Sequence, residues 1–436
     1  MYPLYSLLLG LTVVVTAPWW LARMLARGKY RAGLGERLGG VPARLGPASG
    51  CIWVHAVSVG EVLAVSGLVA RLRARFPERR VLVSTTTETG QKLARERFGA
   101  ENVFYYPADF SFAIRRYLRA LRPSLIVLAE SEFWPNFLRL AHSSGARIAV
   151  VNARVSDRSL PRYLWLRGLW RRVLRDLDIF LAQSNADARR LVAIGAPESR
   201  VGIGGNLKFD VRPPEAVPAI EIVRRALQPA TVVVVCGSTT EGEEQIILRA
   251  FTAALQKHPR TALILAPRRP ERFDAVANLI AASGLKFCRR SQLAGAGSLS
   301  GGVLLLDTIG ELATLYSLAS IAFVGGSLVS HGGHNILEPG QFGVAILVGP
   351  HTENFRDIVS IFEAARAVIV VRPDTFAGEL LRLLDNVDAR QELGQRAADV
   401  VRQHRGATER TLAALASLLA EQPAPEVVPN TTGTTP

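Results

Sequence analysis

The segment WVHAVSVGEV, from Trp53 to Val62, predicts a buried strand that turns directly into a helix. Residues 51–57 are mostly apolar, and residues 62–75 show the 3.6-residue apolar period of a helix that faces a sheet. Between them, Ser58 to Glu61 form a tight turn that delivers a carboxylate to the first turn of the helix. Open α/β sheets bind ligands at the carboxyl ends of their strands. Glu61 therefore stands where a ligand is expected.

The same alternation of short apolar segments and helical patterns continues along the 436 residues, and this length favours two domains. The segment 211–220 contains three prolines in ten residues, as is typical of a linker. We therefore predict an α/β protein with a first domain at 29–210 and a second at 221–420, preceded by a distinct segment 1–28 and followed by a disordered Pro/Thr-rich tail at 421–436. The predicted strands are 51–57, 81–87, 102–107, 124–130, 146–152, 179–183 and 201–205, then 231–238, 261–268, 303–308, 321–327, 345–350 and 368–372.

Cysteine and histidine usage argues against disulfide and metal chemistry. Three widely spaced cysteines, an odd number, do not form a disulfide framework and fit a reducing compartment. The seven histidines form no HExxH motif and no Cys/His cluster, so we predict no metal site. No GxGxxG opens the first strand–helix unit and no GxxxxGK[ST] occurs, which disfavours dinucleotide oxidoreductases and P-loop enzymes. We expect no cofactor.

The amino-terminal segment predicts a membrane anchor. Residues 1–22 carry no charged side chain, and Arg23, Arg27, Lys29 and Arg31 follow them, whereas a cleavable signal carries its positive charge before the apolar run. Twenty-two uncharged residues can just span a bilayer core of about 30 Å, and the positive-inside rule then places the body of the protein in the cytoplasm. The alternative is a helix that lies in the membrane interface, kinked at Pro18.

The net charge of +15 suggests an anionic partner, and part of it is concentrated in one segment. Residues 154–175 hold seven arginines and one aspartate, interleaved with Tyr163, Trp165 and Trp170. Such a segment suits an anionic membrane surface, and it also suits nucleic acid. The neighbouring anchor favours the membrane; a solvated helix with a buried aromatic face is the remaining alternative.

Two further motifs place charged groups at strand ends of the first domain. The segment AESEFWPN (129–136) ends the fourth strand with Glu130 and Glu132, and GGNLKFD (204–210) places Lys208 just before the linker. Several carboxylates that converge on one site are costly, because like charges and desolvation both oppose ionisation. A function is one reason to keep them; helix capping or salt bridges for the glutamates, and an ordinary surface lysine, are the alternatives.

Four turns of the second domain each follow a strand and begin a helix: GSTTEGEE (237–244), PRRPERF (267–273), DTIGEL (307–312) and GGSLVSHGGHNILEP (325–339). Backbone N–H groups in such turns form anion sites. Arg268 can make a two-pronged contact with phosphate, and Glu338 can accept hydrogen bonds from ribose hydroxyls. Each turn alone is compatible with ordinary turn chemistry, but four together predict a nucleotide-phosphate site.

Together these motifs resemble those of the bacterial 3-deoxy-manno-oct-2-ulosonic acid (Kdo) transferases, which transfer Kdo from CMP-Kdo to the lipid A precursor. The resemblance covers about residues 30–405 in the right order, and NARVSDRS (152–159) and GPHTENF (349–355) belong to it as well. It implies a type-B glycosyltransferase fold, in which two Rossmann-like domains face each other across a cleft, with the acceptor on the first and the nucleotide sugar on the second. It also implies an enzyme anchored in the inner membrane with its catalytic domains on the cytoplasmic side.

The resemblance also implies residue roles. Glu61 falls on the general base, while Glu130 and Lys208 fall on positions assigned to transition-state stabilisation. The implied CMP contacts are Pro267, Arg268, Ile309, Gly310, Glu311, Asn335, Ile336, Leu337 and Glu338. One departure is Arg269, where the family commonly has histidine, and it affects details of the donor contact rather than the function. Because Glu61 must be ionised, we expect Lys208 or an arginine to lie between it and Glu130.

Two other classes of protein share part of this pattern. A transferase or epimerase for a UDP-sugar has similar Gly-rich turns and the late glutamate, but not the pair HAVSVGE and ESEFWPN. A membrane-anchored nucleotide-binding scaffold without turnover has no use for a base at Glu61. The partners expected from the sequence are therefore CMP-Kdo, the lipid A precursor and anionic membrane lipids, and no nucleic acid.

Overall fold

The computed structural model describes residues 2–27, 32–46, 48–210, 218–293 and 298–420, with the side chains of the first helix described as far as Trp19. The predicted tail and most of the predicted linker lie outside these residues. The chain forms two compact units, the first comprising Met1–Asp210 and Gly406–Pro436, the second Val211–Arg405.

The first unit is built on a parallel sheet. Its strands are β1 (Ile52–His55), β2 (Val81–Thr85), β3 (Val103–Tyr105), β4 (Leu125–Ala129), β5 (Arg147–Ala153), β6 (Ile179–Ala182) and β7 (Val201–Ile203). Its helices include α1 (Tyr2–Arg27), α2 (Leu34–Arg37), α3 (Val59–Arg75), α4 (Glu88–Phe98), α5 (Ser111–Leu121), α6 (Pro135–Ser143), α7 (Leu160–Trp165), α8 (Arg167–Leu174) and α9 (Asn185–Ile194). The strand order in space is β3-β2-β1-β4-β5-β6-β7.

The order of the strands explains where a site can form in this unit. The strand β1 pairs in parallel with both β2 and β4, and His55 lies opposite Leu128. The chain moves outward in one direction from β1 and in the other from β4, so the loops after these two strands separate and leave a crevice. Glu61 follows the first of these strands and Glu130 the second.

The two faces of this sheet have different cores. One is aromatic and centres on Trp53, whose ring lies 5.2 Å from both Phe104 and Phe137 and whose indole N–H donates to Ser84 Oγ at 2.7 Å. The other is aliphatic and includes Val65 of α3. All of β1 is buried, which is why it reads as a continuous apolar run rather than an alternating one.

The second unit repeats the architecture. Its strands are β8 (Val233–Thr239), β9 (Ala262–Pro267), β10 (Phe287–Arg289), β11 (Val303–Leu305), β12 (Ile321–Val324), β13 (Ala345–Val348) and β14 (Ile369–Val370). Its helices are α10 (Pro218–Ala226), α11 (Glu243–Lys257), α12 (Phe273–Ala282), α13 (Leu312–Leu315), α14 (Leu337–Gly340), α15 (Arg356–Ala364), α16 (Phe376–Asp385) and α17 (Val387–His404). The order β10-β11-β9-β8-β12-β13-β14 puts the corresponding crevice between β8 and β12.

The last helix, α18 (Ala407–Ala420), belongs to the first unit, although its position in the chain predicted that it would belong to the second domain. Its buried residues Leu415, Leu418 and Leu419 complete the aliphatic core beside α3. An amphipathic helix can cover either sheet, so its place is decided by tertiary contacts rather than by its own pattern.

The predicted strands are confirmed, with ends that differ by up to three residues. The strand β10 was not predicted, because the sequence KFCRR around it contains no apolar run. The helix α1 continues through Pro18, and its segment Tyr2–Trp19 is long and apolar enough to cross a membrane.

Candidate active site

Glu61 lies in the first turn of α3, as predicted, and its carboxylate folds back over the amino-terminal end of the helix. Glu61 Oε2 accepts from the N–H of Val57 at 2.8 Å, and Ser58 Oγ donates to Oε1 at 3.0 Å. Burial raises the pKa of Glu61 to about 7, and the charges of Glu130 and Glu132 act in the same direction. Glu61 is therefore hydrogen-bonded to the turn that precedes α3, and its carboxylate titrates near neutral pH.

Glu130 directly follows β4 and has a backbone φ of 59°, a left-handed conformation that is uncommon for a residue with a side chain. Its N–H donates to the carbonyl of Val151 of β5 at 2.9 Å, and this bond fixes the backbone conformation at the carboxyl end of β4. Backbone conformations of this kind cluster at functional sites. Its side chain meets Lys208, with Nζ 3.9 Å from Oε1. Lys208 is therefore paired with Glu130. The expectation that a cation lies between Glu130 and Glu61 stays a prediction.

Glu132 is the third carboxylate of this group. Trp134 donates its indole N–H to Glu132 Oε2 at 3.0 Å. Burial raises the pKa of Glu132, and the charge of Glu130 adds to the effect. The structure therefore brings Glu61, Glu130 and Glu132 into one electrostatic group with a nearby lysine.

The loop that carries Lys208 is held by two residues of the quoted motifs to which the sequence analysis gave no role. The N–H of Leu207 donates to the buried Asn152 Oδ1 at 3.0 Å. Asp210, the last residue of the LKFD motif, accepts from the N–H of Gly406 at 2.6 Å and from the N–H of Thr408. Asp210 thereby satisfies free N–H groups at the start of α18, so the position of Lys208 depends on a helix that is distant in sequence.

His55, the histidine of the HAVSVGE motif, belongs to the core. It is fully buried, stacks on Tyr106 with ring centroids 3.8 Å apart, and places Nδ1 2.9 Å from Ser84 Oγ. Burial lowers the pKa of His55 to about 3, so the ring is neutral.

In the second unit, the structure brings the predicted residues Arg268 and Glu338 close enough to interact electrostatically. Arg268 follows β9, is exposed, and donates its backbone N–H to the carbonyl of Thr239 at 2.9 Å. Burial raises the pKa of Glu338, while a hydrogen bond from Asn335 Nδ2 at 3.3 Å and the charge of Arg268 oppose that rise. His334 is a further neighbour, from the same motif as Glu338, to which the sequence analysis gave no role. Burial and the charge of Arg268 lower the pKa of His334 to about 4.

The Gly-rich turn after β12 corrects one expectation. The N–H groups of Gly326, Ser327 and Leu328 do not form an open anion site, because they donate to the fully buried carboxylate of Glu243 at 2.7, 3.0 and 2.9 Å. The N–H of Thr240 donates to the same carboxylate at 2.9 Å. The buried carboxylate of Glu243 therefore links the loops that follow β8 and β12. The acidic pair that begins α11 was its signal in the sequence.

The remaining predicted contacts divide into side-chain and main-chain positions. Glu311 is engaged by Arg290, with Nε 3.0 Å from Oε2. Ile336 and Leu337 are buried, so only their main chain is available to a ligand. The side chain of Ile309 is 82% exposed, and Gly310 has a φ of 91°, which a side chain would strain. Pro267 ends β9 directly before the exposed arginine.

These observations define what each unit can do chemically. The first offers a carboxylate with a pKa near neutrality beside an ion pair, as general-base catalysis requires. The second offers a cation and turn backbone suited to a nucleotide phosphate. Among the described residues, no three His, Cys, Asp or Glu side chains are grouped to hold a metal ion. Two parallel α/β units with these groups at their strand ends have the architecture of the type-B glycosyltransferases.

Comparison with known proteins agrees with this class. The sequence profile "3-Deoxy-D-manno-octulosonic-acid transferase (kdotransferase)" matches residues 32–211, and the profile "Glycosyl transferases group 1" matches residues 241–400. The 3-deoxy-D-manno-octulosonic acid transferase of Bordetella pertussis is 38% identical over 94% of this chain and 98% of its own length. That of Haemophilus influenzae is 34% identical over 88% of this chain and 91% of its own length. This chain belongs to the 3-deoxy-D-manno-octulosonic acid (Kdo) transferase family.

A solved structure supports the fold. A glycosyltransferase from Rickettsia africae superimposes with a TM-score of 0.51 over 85% of this chain and 99% of its own, at 12% identity. At that identity the likeness concerns the fold alone.

Proposed function

We propose that this protein transfers Kdo from CMP-Kdo to the lipid A precursor, lipid IVA, in lipopolysaccharide biosynthesis. Membership of the Kdo transferase family supports the reaction class. The observation that carries the mechanism is the half-buried Glu61, whose pKa of about 7 suits a base that works at neutral pH.

Glu61 acts as the general base in this proposal. A sugar hydroxyl has a pKa far above neutrality, so it becomes an effective nucleophile only as its proton is removed. The acceptor oxygen forms a bond to the anomeric carbon of Kdo, and its proton passes to Glu61. The bond from that carbon to the phosphate oxygen breaks, and CMP leaves from the opposite face with the electron pair. The anomeric centre is therefore inverted.

The Glu130–Lys208 pair supplies fixed charge near the base. Lys208 Nζ lies 3.9 Å from Glu130 Oε1, and the two side chains are 27% and 30% exposed, so solvent screens the pair only in part. We assign both residues to stabilisation of the transition state, with Glu130 holding Lys208 in place.

The nucleotide is assigned to the second unit. Arg268 contacts the phosphate of CMP, aided by the main chain of Pro267 and of residues 309–311, while residues 335–338 hold the nucleoside. We propose a metal-independent reaction, because a fixed cation such as Arg268 can stabilise the developing phosphate charge.

We further propose that α1 anchors the enzyme to the inner membrane, with both units in the cytoplasm. The segment Tyr2–Trp19 is sufficiently long and apolar, and basic residues follow it in the sequence. The exposed arginines of α7 and α8 include Arg162, Arg171 and Arg172, which suits contact with anionic headgroups.

Incubation of the purified protein with CMP-Kdo and tetraacylated lipid A precursor, followed by mass spectrometry, tests the function. A Kdo adduct that still forms in the presence of EDTA supports the whole proposal. A sugar adduct or an epimerised product only with a UDP-sugar would assign the protein to another transferase or epimerase. Nucleotide binding without any product would identify a scaffold.

A further inference from the structure

The amino-terminal end of α1 is fastened to the body of the first unit. Tyr2 donates its hydroxyl to Asp176 Oδ2 at 3.2 Å, and the guanidinium of Arg139 lies 4.5 Å from the centre of the Tyr2 ring. Asn136 Nδ2 donates to Ser6 Oγ at 3.0 Å. These contacts join the first turns of α1 to α6 and to the end of α8.

A buried carboxylate strengthens this attachment. Asp109 accepts from the N–H groups of Asn136 and Phe137 at 3.1 and 2.7 Å, so it caps α6 from another element. Tyr5 hydrogen-bonds to the same aspartate. Tyr2, Tyr5 and Ser6 of α1 therefore contact the body, and their spacing puts them on one face of the helix.

The rest of α1 presents apolar side chains outward. More than half of the surface is exposed for seven large apolar side chains: Leu4, Leu7, Leu8, Leu11, Val14, Val15 and Trp19. A contiguous apolar surface of this kind is unfavourable in water and suits hydrocarbon.

The carboxyl end of α1 is also tied to the body, through the chain that follows it. Residues 33–37 are fixed on the first unit, because Gly33 lies against the ring of Tyr105 and the guanidinium of Arg37 lies 4.6 Å from the centre of that ring. The chain from Arg27 to Gly33 reaches at most about 22 Å when fully extended. A helix of 26 residues is about 39 Å long.

These lengths are incompatible with a helix that crosses the bilayer. With Tyr2 to Ser6 bonded to the body, a spanning α1 would place Arg27 beyond a hydrocarbon core of about 30 Å, out of reach of Gly33. The reverse orientation would carry Tyr2 away from Asp176. We propose that α1 lies along the surface of the membrane, with both ends on the same side as the body and its apolar face in the hydrocarbon.

Other exposed groups of the first unit are suited to contact with a membrane. Phe112 is 54% exposed and lies three residues after Asp109, to which α1 is bonded. Trp165 is 84% exposed between Leu164 and Leu166, in the joint between α7 and α8. The arginines at 171, 172 and 175 are exposed just before Asp176 and suit anionic headgroups. The occupant of this surface is therefore an anionic bilayer.

The placement has a consequence for catalysis that rests on the proposed function. The Asn136 that binds Ser6 is four residues from Glu132 and six from Glu130. An in-plane α1 therefore holds the carboxylate group near the headgroup region, where the sugar of a lipid acceptor is located.

Thiol labelling tests the topology without using catalytic activity. Cys51 and Cys236 are buried, so a full-length protein carrying Cys288→Ser provides a background with little reactive thiol. One protein carries a cysteine in a short amino-terminal extension. A second protein carries Arg115→Cys on the exposed surface of the first unit. Each is labelled with a membrane-impermeant maleimide. We expect both cysteines to react from the same side in sealed inner-membrane vesicles. Labelling from opposite sides would show that α1 spans and would overturn the proposal.

A cross-link tests the attachment itself. Ser6→Cys with Asn136→Cys, in the Cys288→Ser background, should form an intramolecular disulfide in membranes under mild oxidation. The matched pair Leu11→Cys with Asn136→Cys should not, because residue 11 lies more than a turn further along the helix on its outward side. No cross-link in the first pair, in protein that labels normally at Arg115→Cys, would contradict the docking of α1. The labelling and cross-linking results stand whichever sugar the enzyme transfers.

Discussion

Among single residues, Glu61 has the central role in the proposed mechanism, and its replacement gives the first prediction. Glu61→Gln should lower turnover by about 10²–10⁴-fold, as expected for a lost general base. The affinity for CMP-Kdo should hardly change, since the proposed nucleotide-binding residues are in the second unit. Steady-state kinetics and calorimetry measure the two effects. A variant that keeps more than about a tenth of the wild-type turnover would refute the base assignment.

The pKa of Glu61 gives the second prediction. The carboxyl is ionised above about pH 7, so kcat/KM for the acceptor should rise with pH up to about 7 and then level off. Glu130→Gln removes a charge that raises this pKa and should move the rise to lower pH, although the maximal rate also falls. The exposed carboxylate Glu96 on α4 provides the control, because Glu96→Gln should leave the profile in place. If kcat/KM did not change from pH 5 to 8, the rate would not depend on the ionisation of Glu61.

Arg268 gives the third prediction. Arg268→Ala should weaken CMP binding by about 1.5–3 kcal/mol, the value of a hydrogen bond to a charged group, or roughly 10–150-fold. Arg249→Ala, on the exposed surface of α11, is the matched control and should bind CMP normally. If calorimetry showed that the Arg268 variant binds CMP with unchanged affinity, Arg268 would not be part of the nucleotide site.

Among the secondary-structure elements, α18 connects the stability of the first unit to the position of Lys208. Leu415 is fully buried beside α3, so Leu415→Ala should lower the free energy of unfolding of this unit by about 2–5 kcal/mol. Asp210 joins α18 to the Lys208 loop, so turnover should fall as well. Urea unfolding and kinetics measure the two effects, and Val387→Ala, at an exposed position that begins α17, should change neither. Full stability of the Leu415 variant would show that α18 does not complete this core.

Two Gly-rich turns of the second unit illustrate how similar local sequences acquire different roles. The turn after β12 binds the carboxylate of Glu243 and is therefore part of the internal structure. The turn with Gly310 leaves Ile309 exposed and remains available to a ligand. Local sequence predicts both turns, but only the distant Glu243 determines which of them is filled.

For the molecule as a whole, membrane attachment should have two separable parts. Deleting residues 1–22 should leave a folded enzyme, because no side chain of α1 as far as Trp19 is fully buried. Full-length protein should stay on anionic vesicles at low and high salt, whereas the truncated protein should bind at low salt and dissociate at high salt. Each exposed arginine contributes about 1 kcal/mol near an anionic surface, and salt screens that attraction.

The exposed arginines provide the control for this experiment. Replacing Arg162, Arg167, Arg171 and Arg172 by glutamine in the truncated protein should abolish vesicle binding in a co-sedimentation assay. Salt-insensitive binding of that quadruple variant would show that another surface meets the membrane.

The aromatic residues of the basic segment 154–175 support both predicted alternatives, a membrane-binding surface and a helix with a buried aromatic face. Trp165 is exposed and available for contact with a membrane. Trp170 instead packs against the aromatic core of the first unit, with its ring 5.0 Å from that of Tyr163. The segment is therefore both a basic surface and, through Trp170, a helix with a partly buried aromatic face.

Local periodicity and chain connectivity were enough to predict the elements and the edge of each sheet at which the chemistry lies. Short apolar segments define buried parallel strands, and motifs that follow such strands must lie at their carboxyl ends. Glu61, Glu130 and Arg268 were therefore predictable as strand-end residues, and the order of the motifs identified the family. The sequence contains this information directly, because it concerns neighbours along the chain.

Only the tertiary structure determines which residues that are distant in the sequence come into contact. Folding paired Lys208 with Glu130, placed Glu243 in the turn after β12, brought α18 to the first unit and bonded α1 to Asp176. Each contact joins segments far apart in the chain, and each partner has several chemically acceptable alternatives. The choice among them follows from packing and from the need to satisfy buried polar groups, which act only once the elements are assembled.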